Sequence, residues 1–215
     1  MGKNKKNAID YAQNLSHELL TPLAVIRNNA ELLLQSPNLQ KDDLKYLDDI
    51  LKNVRRMNNL NKSLILLSKI DNEVYEDLES INFMELVHDI LDNFQKPIAS
   101  KKLNVTVGSG KTDRIISNKN LMEILLQNLI KNAVIHNINN GEIHIEFNQN
   151  AIRVTNSYDV NNPPPKNHYK RFTSSKSKQG SLGLGLSIVK RICEYLNIQQ
   201  SHTITENKYL AEIKL

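Results

Sequence analysis

Two stretches near the start of the chain carry an apolar residue at every third or fourth position. The first runs from Ile9 to Leu34 and the second from Leu44 to Leu67, with Ser36 to Asn38 between them. This spacing places the apolar side chains on one side of an α-helix, and a Ser-Pro-Asn run ends a helix. The pattern predicts an antiparallel helical hairpin. Because each helix has a broad apolar stripe and two helices bury little, we expect two hairpins to pair as a dimeric four-helix bundle.

The pattern changes after the acidic, weakly apolar segment from Asp71 to Ser80, which is typical of a linker. We therefore expect a helical domain at 1–75 and a second domain at 76–215. Helical and strand patterns both occur in the second domain without a β-α-β rhythm, so it is predicted to be an α+β domain with an antiparallel sheet. Its predicted elements are helices at 81–94 (ending before Pro97), 121–136 and 187–196, strands at 103–107, 142–147, 152–155 and 209–215, and a loop at 161–180.

Composition narrows the class of protein. The 215 residues are 40% hydrophobic and 24% charged, an ordinary globular balance, and no apolar run reaches the roughly 18 residues that span a bilayer. The single cysteine, Cys193, cannot form an internal disulfide, and no Cys/His spacing resembles a zinc site, so a cytoplasmic location is expected. The net charge of +5 would permit nucleic-acid binding, but Lys and Arg are mostly interspersed with Asp and Glu. We expect no nucleic-acid partner.

His17 lies on the predicted first helix, two residues from both Leu15 and Leu19, and so faces away from the apolar stripe. An isolated histidine there would be an ordinary surface residue. Its neighbours change this interpretation, because Thr21 lies one turn further on the same face and Pro22 occupies a helical position where proline costs about 3 kcal/mol. Proline at this point should loosen the helix beside His17.

The segment Ser16-His17-Glu18-Leu19-Leu20-Thr21-Pro22-Leu23 resembles the phosphoacceptor box of histidine kinases. The resemblance implies that His17 is the phosphorylated nucleophile and that Glu18 holds and activates it. A neutral imidazole can attack through one nitrogen if the other donates its proton to a carboxylate. In that family the Glu18 and Thr21 positions also serve the reverse reaction, the hydrolysis of phospho-aspartate on a partner.

A polar stripe follows the predicted helix 121–136. Asn128, Asn132 and His136 are four residues apart and share a face, separate from the apolar stripe that Leu121 begins. The stripe could be further solvent-exposed surface, but Asn is a poor helix former in such a place. Amide oxygens can complete the coordination of Mg²⁺ that is otherwise bound to phosphate and water, so a metal-nucleotide site is the second interpretation.

Three glycines fall within Gly180 to Gly185, directly before the predicted helix 187–196. Glycine lets backbone N–H groups approach a phosphate, and a helix N-terminus adds a partial positive charge. A flexible loop is the competing interpretation. The dinucleotide-binding fingerprint does not apply, because a loop and not a strand precedes the glycines.

These segments resemble the boxes of the Bergerat-type ATP-binding fold of histidine kinases, an α/β sandwich with a mixed, mainly antiparallel sheet. Asn128 to Ala133 resembles the N box, in which Asn132 would be the Mg²⁺ ligand, and the glycine loop resembles the G2 box. The stretch around Asn156 takes the place of the adenine-binding motif, with Tyr158 close by. The resemblance implies the nucleotide-binding residues Asn128, Asn132, His136, Asn156, Arg171, Gly180, Gly183, Leu184 and Gly185.

The resemblance covers residues 8–72 and 76–215 in the order found in sensor histidine kinases of bacterial two-component systems. It implies a homodimer that uses ATP and Mg²⁺ to phosphorylate His17 and passes the phosphoryl group to an aspartate on a response regulator receiver domain, with phosphatase activity toward that regulator. It also implies a parent protein anchored in the cell membrane. The alternative is a catalytically weakened dimeric scaffold or phosphatase whose nucleotide site, at Asn156 and Tyr158, is degenerate.

Overall fold

The computed structural model describes residues 19–71, 75, 77–110, 113–148, 151–161, 185–205 and 207–215. The described residues form two compact units, 19–71 and 75–215. No helix among them combines the length and apolarity that crossing a membrane requires.

The first unit is a pair of helices, α1 at residues 19–33 in its described part and α2 at Lys41–Asp71. Ala30, Leu47 and Leu51 form a buried cluster against which Leu39 of the connecting turn packs, so the helices fold back as a hairpin. Acidic residues in the first turn of α2 interact favourably with the partial positive charge of the helix N-terminus. This accounts for a helix that begins at Lys41, three residues before the predicted start at Leu44.

The apolar stripe of each helix divides into two faces. Leu23 and Ala30 on α1, and Leu47, Leu51 and Val54 on α2, are buried between the helices. A second set, spaced by seven residues on each helix, is more than 40% exposed: Leu19, Ile26 and Leu33 on α1, and Ile50, Met57 and Leu64 on α2. The hairpin therefore leaves a seven-residue apolar repeat uncovered in the single chain.

The second unit is an α+β sandwich. Its strands are β1 Glu79–Asn82, β2 Asn104–Ser109, β3 Arg114–Ser117, β4 Glu142–Asn148, β5 Ala151–Ser157, β6 Gln199–Ile204 and β7 Lys208–Lys214, and its helices are α3 Phe83–Asp92, α4 Gln95–Lys101, α5 Lys119–Ile135 and α6 Gly185–Leu196. Five strands form a sheet in the order β2-β4-β5-β7-β6, in which β2 runs parallel to β4 and the other neighbours are antiparallel. The predicted mixed, mainly antiparallel sheet is confirmed.

One face of this sheet is apolar and is covered by the helices. Ile143 and Ile145 of β4 are at most 1% exposed, and Phe147 packs against Phe83 of α3 in a tilted arrangement, with ring centroids 5.5 Å apart. Alternation along the strands places these side chains on one face. Cys193 of α6 is 2% exposed, and burial raises the pKa of its thiol to about 12.

The opposite face is polar and carries a chain of contacts across the strands. His144 Nδ1 lies 2.6 Å from the Thr106 hydroxyl, and the Arg153 guanidinium bonds Glu146 at 3.3 Å and Glu212 at 2.7 Å. The Arg153 hydrogen bond lowers the pKa of Glu212. The helices described in this unit thus all lie on the apolar side of the sheet.

Several element boundaries differ from the predictions. Residues 79–82 form β1, paired with β3, so the helix predicted from Ile81 begins instead at Phe83. The Asn82 side chain accepts a hydrogen bond from Glu85 N and caps that helix. The predicted helix ends before Pro97 as expected, at Asp92, but a further helix, α4, was not predicted. Pro97 lies in the first turn of α4, where the missing proline N–H costs no helical hydrogen bond. The short strands β3 and β6 were not predicted.

Candidate functional site

Helix α5 has the two stripes that the sequence predicted. Its apolar stripe, from Leu121 to Ala133, is at most 3% exposed, whereas Asn128 and Asn132 on the polar stripe are half-buried. Asn118 caps the helix by accepting a hydrogen bond from Leu121 N at 3.0 Å. The apolar stripe fixes the rotation of α5, so the asparagines lie to one side of the packed layer.

Gly185, the first described residue of α6, lies against this polar stripe. A β-carbon at Gly185 would be 3.0 Å from Asn128 Oδ1 and 3.8 Å from Asn132 Nδ2. The Asn128 amide is held in place, because its Nδ2 donates to Ile124 O at 2.8 Å. The fold therefore brings together one residue of the glycine loop and the two asparagines, an N-terminal helix end beside amide groups that suits phosphate and its metal ion.

Replacing Gly185 with Val is expected to weaken Mg·ATP binding about tenfold, since overpacking costs about 1–3 kcal/mol. The new side chain would press on Asn128, whose amide cannot turn away without losing its bond to Ile124. Isothermal titration measures the change. Gly108→Val is the matched control, because a β-carbon at Gly108 meets nothing within 4 Å. Equal affinity in the two variants would contradict the close packing at Gly185.

The carboxyl end of α5 is closed by a lysine from α4. Lys101 Nζ donates to the carbonyls of Val134 at 3.0 Å, Ile135 at 2.6 Å and Asn137 at 3.0 Å. A cation here also matches the partial negative charge of the helix end. Burial lowers the pKa of Lys101 from its ordinary value of 10.5.

His136 is the C-cap of α5, and its backbone N–H donates to Asn132 O at 3.0 Å. The residue is exposed by its surface area, but the atoms packed around its imidazole partly desolvate it. This burial, and then the charge of Lys101, lower the pKa of His136 below its usual 6.5. The neutral form of the imidazole is therefore favoured, at the end of the stripe that it was predicted to extend.

Lys101→Met is expected to lower the free energy of unfolding by about 2 kcal/mol, because three partly buried carbonyls would lose their donor while the side chain keeps its length. Urea unfolding of the variant and the wild type measures this difference in the free energy of unfolding. Lys131→Met on the same helix is the control, since Lys131 is exposed and its replacement should change stability by less than about 0.5 kcal/mol. A loss in Lys101→Met no larger than in Lys131→Met would contradict a capping role.

Asn156 lies on β5 between Ile143 of β4 and Tyr209 of β7, and is 5% exposed. Its Nδ2 donates to Ser157 O at 2.7 Å, which leaves the amide oxygen as an acceptor of the kind that an adenine amino group needs. The Tyr158 hydroxyl donates to Thr205 O at 2.7 Å, so the turn between β6 and β7 holds this phenol.

The other predicted site residues are distributed as follows. Thr21 is exposed on α1, in the first unit. Outside the described residues lie His17, Glu18, Arg171, Gly180, Gly183 and Leu184. In the part of the chain that the structure describes, no group of three His, Cys, Asp or Glu side chains could hold a metal ion.

Two residues at the ends of α5 were not singled out from the sequence. Asn118 could have been predicted from the sequence, since an Asn directly before a periodic apolar run is a common helix N-cap. The role of Lys101 could not have been predicted from the local sequence, because its hydrogen-bond partners lie 33 to 36 positions further along the chain.

The comparisons with known proteins agree with this arrangement. The family model of the His Kinase A (phospho-acceptor) domain matches residues 9–73, and the model of histidine kinase-, DNA gyrase B- and HSP90-like ATPases matches residues 117–209. Heme sensor protein HssS of Staphylococcus saprophyticus is 29% identical over 192 residues, and sensor histidine kinase HprS of Escherichia coli is 26% identical over 203 residues. These matches cover 86% and 89% of this chain.

The chain spans less than half the length of these relatives, 41% of HssS and 44% of HprS. Among solved structures, the Acinetobacter baumannii histidine kinase AdeS has a TM-score of 0.64 at 20% identity, over 93% of this chain and 96% of that one. That likeness concerns the fold. With a phospho-acceptor region followed by an ATPase-like region, and with sensor kinases as relatives, the chain belongs to the sensor histidine kinases of bacterial two-component systems.

Proposed function

We propose that this chain is a kinase core that transfers the γ-phosphoryl group of ATP to His17 and then to an aspartate on a response regulator receiver domain. The observation that carries the proposal is the close approach of Gly185 to Asn128 and Asn132, in a chain that also matches a phospho-acceptor model. Phosphoryl transfer depends on positioning and on neutralising charge, and these residues are suited to both.

In the proposed first step, one imidazole nitrogen of His17 attacks the γ-phosphorus. A new N–P bond forms, the bond from phosphorus to the bridging β,γ-oxygen breaks, and ADP leaves. Glu18 accepts a hydrogen bond from the other ring nitrogen, which fixes the tautomer and raises the basicity of the attacking one. In the second step the receiver aspartate takes the phosphoryl group and His17 is restored.

The nucleotide would be held by the second unit. Asn132 supplies an amide oxygen to Mg²⁺, whose charge offsets that of the phosphates when it is bound. Asn156 accepts from the adenine amino group. The remaining proposed phosphate and nucleotide contacts come from Asn128, His136, Arg171, Gly180, Gly183, Leu184 and Gly185.

We include in the proposal a homodimer built on the hairpin. The exposed repeats led by Leu19 and by Ile50 have the seven-residue spacing of a bundle seam, and a second copy offers the same apolar surface. The proposal assigns residues 1–75 to a dimerisation and phosphoacceptor domain and residues 76–215 to an ATP-binding domain. Size-exclusion chromatography with light scattering tests it, and a monomer would contradict it.

Phosphatase activity toward the phosphorylated regulator is a further part of the proposal. Thr21 is exposed on α1, where its hydroxyl can orient a water molecule, and Glu18 precedes it by three residues. A cytoplasmic location, with a parent protein anchored in the membrane, completes the proposal, as does the absence of a nucleic-acid partner.

Incubation with Mg²⁺ and γ-labelled ATP tests the kinase. We expect a label on the protein that is lost in acid and kept in alkali, as a phosphoramidate bond requires. The alternative, a weakened scaffold or phosphatase, predicts no label and no stabilisation by Mg·ATP. A label that survives acid would place the phosphate on a hydroxyl group and would contradict the proposal.

A further inference from the structure

The chain enters the second unit at Tyr75 and Asp77, and two side chains hold its backbone there. Asn118 Nδ2 donates to Asp77 O at 3.0 Å, and the Tyr195 hydroxyl donates to Tyr75 O at 2.9 Å. Both partners are more than 40 positions away in sequence, so these bonds fix the path of the entering segment on the folded unit. We call the two side chains and the two carbonyls the linker clamp.

Asn118 performs two tasks with one amide group. Its oxygen accepts from Leu121 N and so begins α5, while its nitrogen holds Asp77. The side chain is 5% exposed, and loss of either bond would leave a buried polar atom without its partner. One side chain therefore bonds both the entering segment and the first turn of the helix that carries Asn128 and Asn132.

Tyr195 makes the corresponding link to the second helix of the site. It lies in the last turns of α6, whose first residue is Gly185. Tyr75 and Tyr195 are both half-buried, and this burial, together with Tyr195, raises the pKa of the Tyr75 phenol. The entering segment is therefore bound to both helices whose contact at Gly185 and Asn128 forms the candidate phosphate site.

We propose that Asn118 and Tyr195 are positioning residues that couple the entering segment to the nucleotide site. The proposal rests on the proposed nucleotide binding. Displacing the entering segment would loosen α5 against α6 and so weaken nucleotide binding. Coupling between two sites is reciprocal, so bound nucleotide would strengthen the attachment of the segment by the same factor. The segment follows the hairpin, so a change in the hairpin could act on nucleotide affinity through these two bonds.

Two isosteric variants test the coupling. Asn118→Asp keeps the oxygen that caps α5 and removes the donor to Asp77, and Tyr195→Phe removes only the hydroxyl. We expect each to raise the dissociation constant for Mg²⁺ and a non-hydrolysable ATP analogue about two- to tenfold, the equivalent of one hydrogen bond. Hydrogen exchange should also show that nucleotide protects the amides of residues 77–80 in the wild type and protects them less in the variants.

The controls are Asn82→Asp and Tyr46→Phe. Asn82 caps α3 with the same kind of bond, and Tyr46 is 64% exposed on α2. A merely structural role for the clamp would lower the melting temperature of the variants without changing the ratio of exchange rates with and without nucleotide, and that result would overturn the coupling. Wild-type protein that gained no protection and bound no nucleotide would instead contradict the proposed function along with it.

Discussion

Replacing His17 with Gln is expected to abolish phosphate incorporation from ATP. Glutamine has an amide of similar size but no basic nitrogen, so it cannot form the N–P bond. Nucleotide binding should persist, because the residues proposed to hold ATP belong to the second unit. The measurement is the acid-labile label after incubation with Mg·ATP, together with nucleotide-induced thermal stabilisation of the same sample.

His88→Gln is the control for this experiment. His88 is exposed on α3, and the same substitution there should leave the label unchanged. If the His17 variant kept the wild-type label while the His88 variant lost it, the phosphoacceptor would be misassigned. Loss in both would point to damage to the second unit and not to the nucleophile.

Asn132→Ala is expected to remove the Mg²⁺-dependent part of ATP binding. Within the described residues the Asn132 side chain makes no hydrogen bond, so its amide is available to a ligand, and alanine is the best helix former. A ligand at a hundredfold excess over its dissociation constant stabilises a protein by about 2.7 kcal/mol. For a unit of this size that corresponds to roughly 5–10 °C in Tm.

Thermal melts with and without Mg²⁺ measure this effect, and Gln127→Ala is the matched control because Gln127 lies on the exposed face of the same helix. Wild type and Gln127→Ala should show a larger shift with the metal than without it, and Asn132→Ala should show no difference. An unchanged Mg²⁺ effect in Asn132→Ala would remove this residue from the metal site. No shift even in wild type would favour the scaffold alternative.

Much of the fold could be predicted because hydrophobic period is a local property. The hairpin, α5 and the paired strands β4 and β5 all have a clear repeat of 3.6 or 2. The predictions of secondary structure failed where contacts between distant segments determine the conformation. Residues 79–82 form a strand only because β3 pairs with them, and Pro97 is accepted only because α4 begins two residues before it.

The same distinction applies to the candidate site. The spacing of Asn128 and Asn132 revealed a shared face, and the position of the glycine loop suggested a helix end. Their contact at Gly185 could not be read from spacing, because 57 positions separate Gly185 from Asn128 and only the packing of α5 on α6 brings them together. The broad apolar stripes predicted that two hairpins would pair, but their spacing did not distinguish the positions buried within the hairpin from those left exposed in the single chain.

The buried thiol of Cys193 is a built-in probe for local opening of the fold around α6. Only the thiolate reacts readily with alkylating reagents, and a pKa of about 12 together with 2% exposure keeps this thiol inert while α6 is packed on the sheet. The sequence has a single cysteine, so alkylation reports on this position alone. The rate of modification therefore measures how often α6 lifts from the sheet.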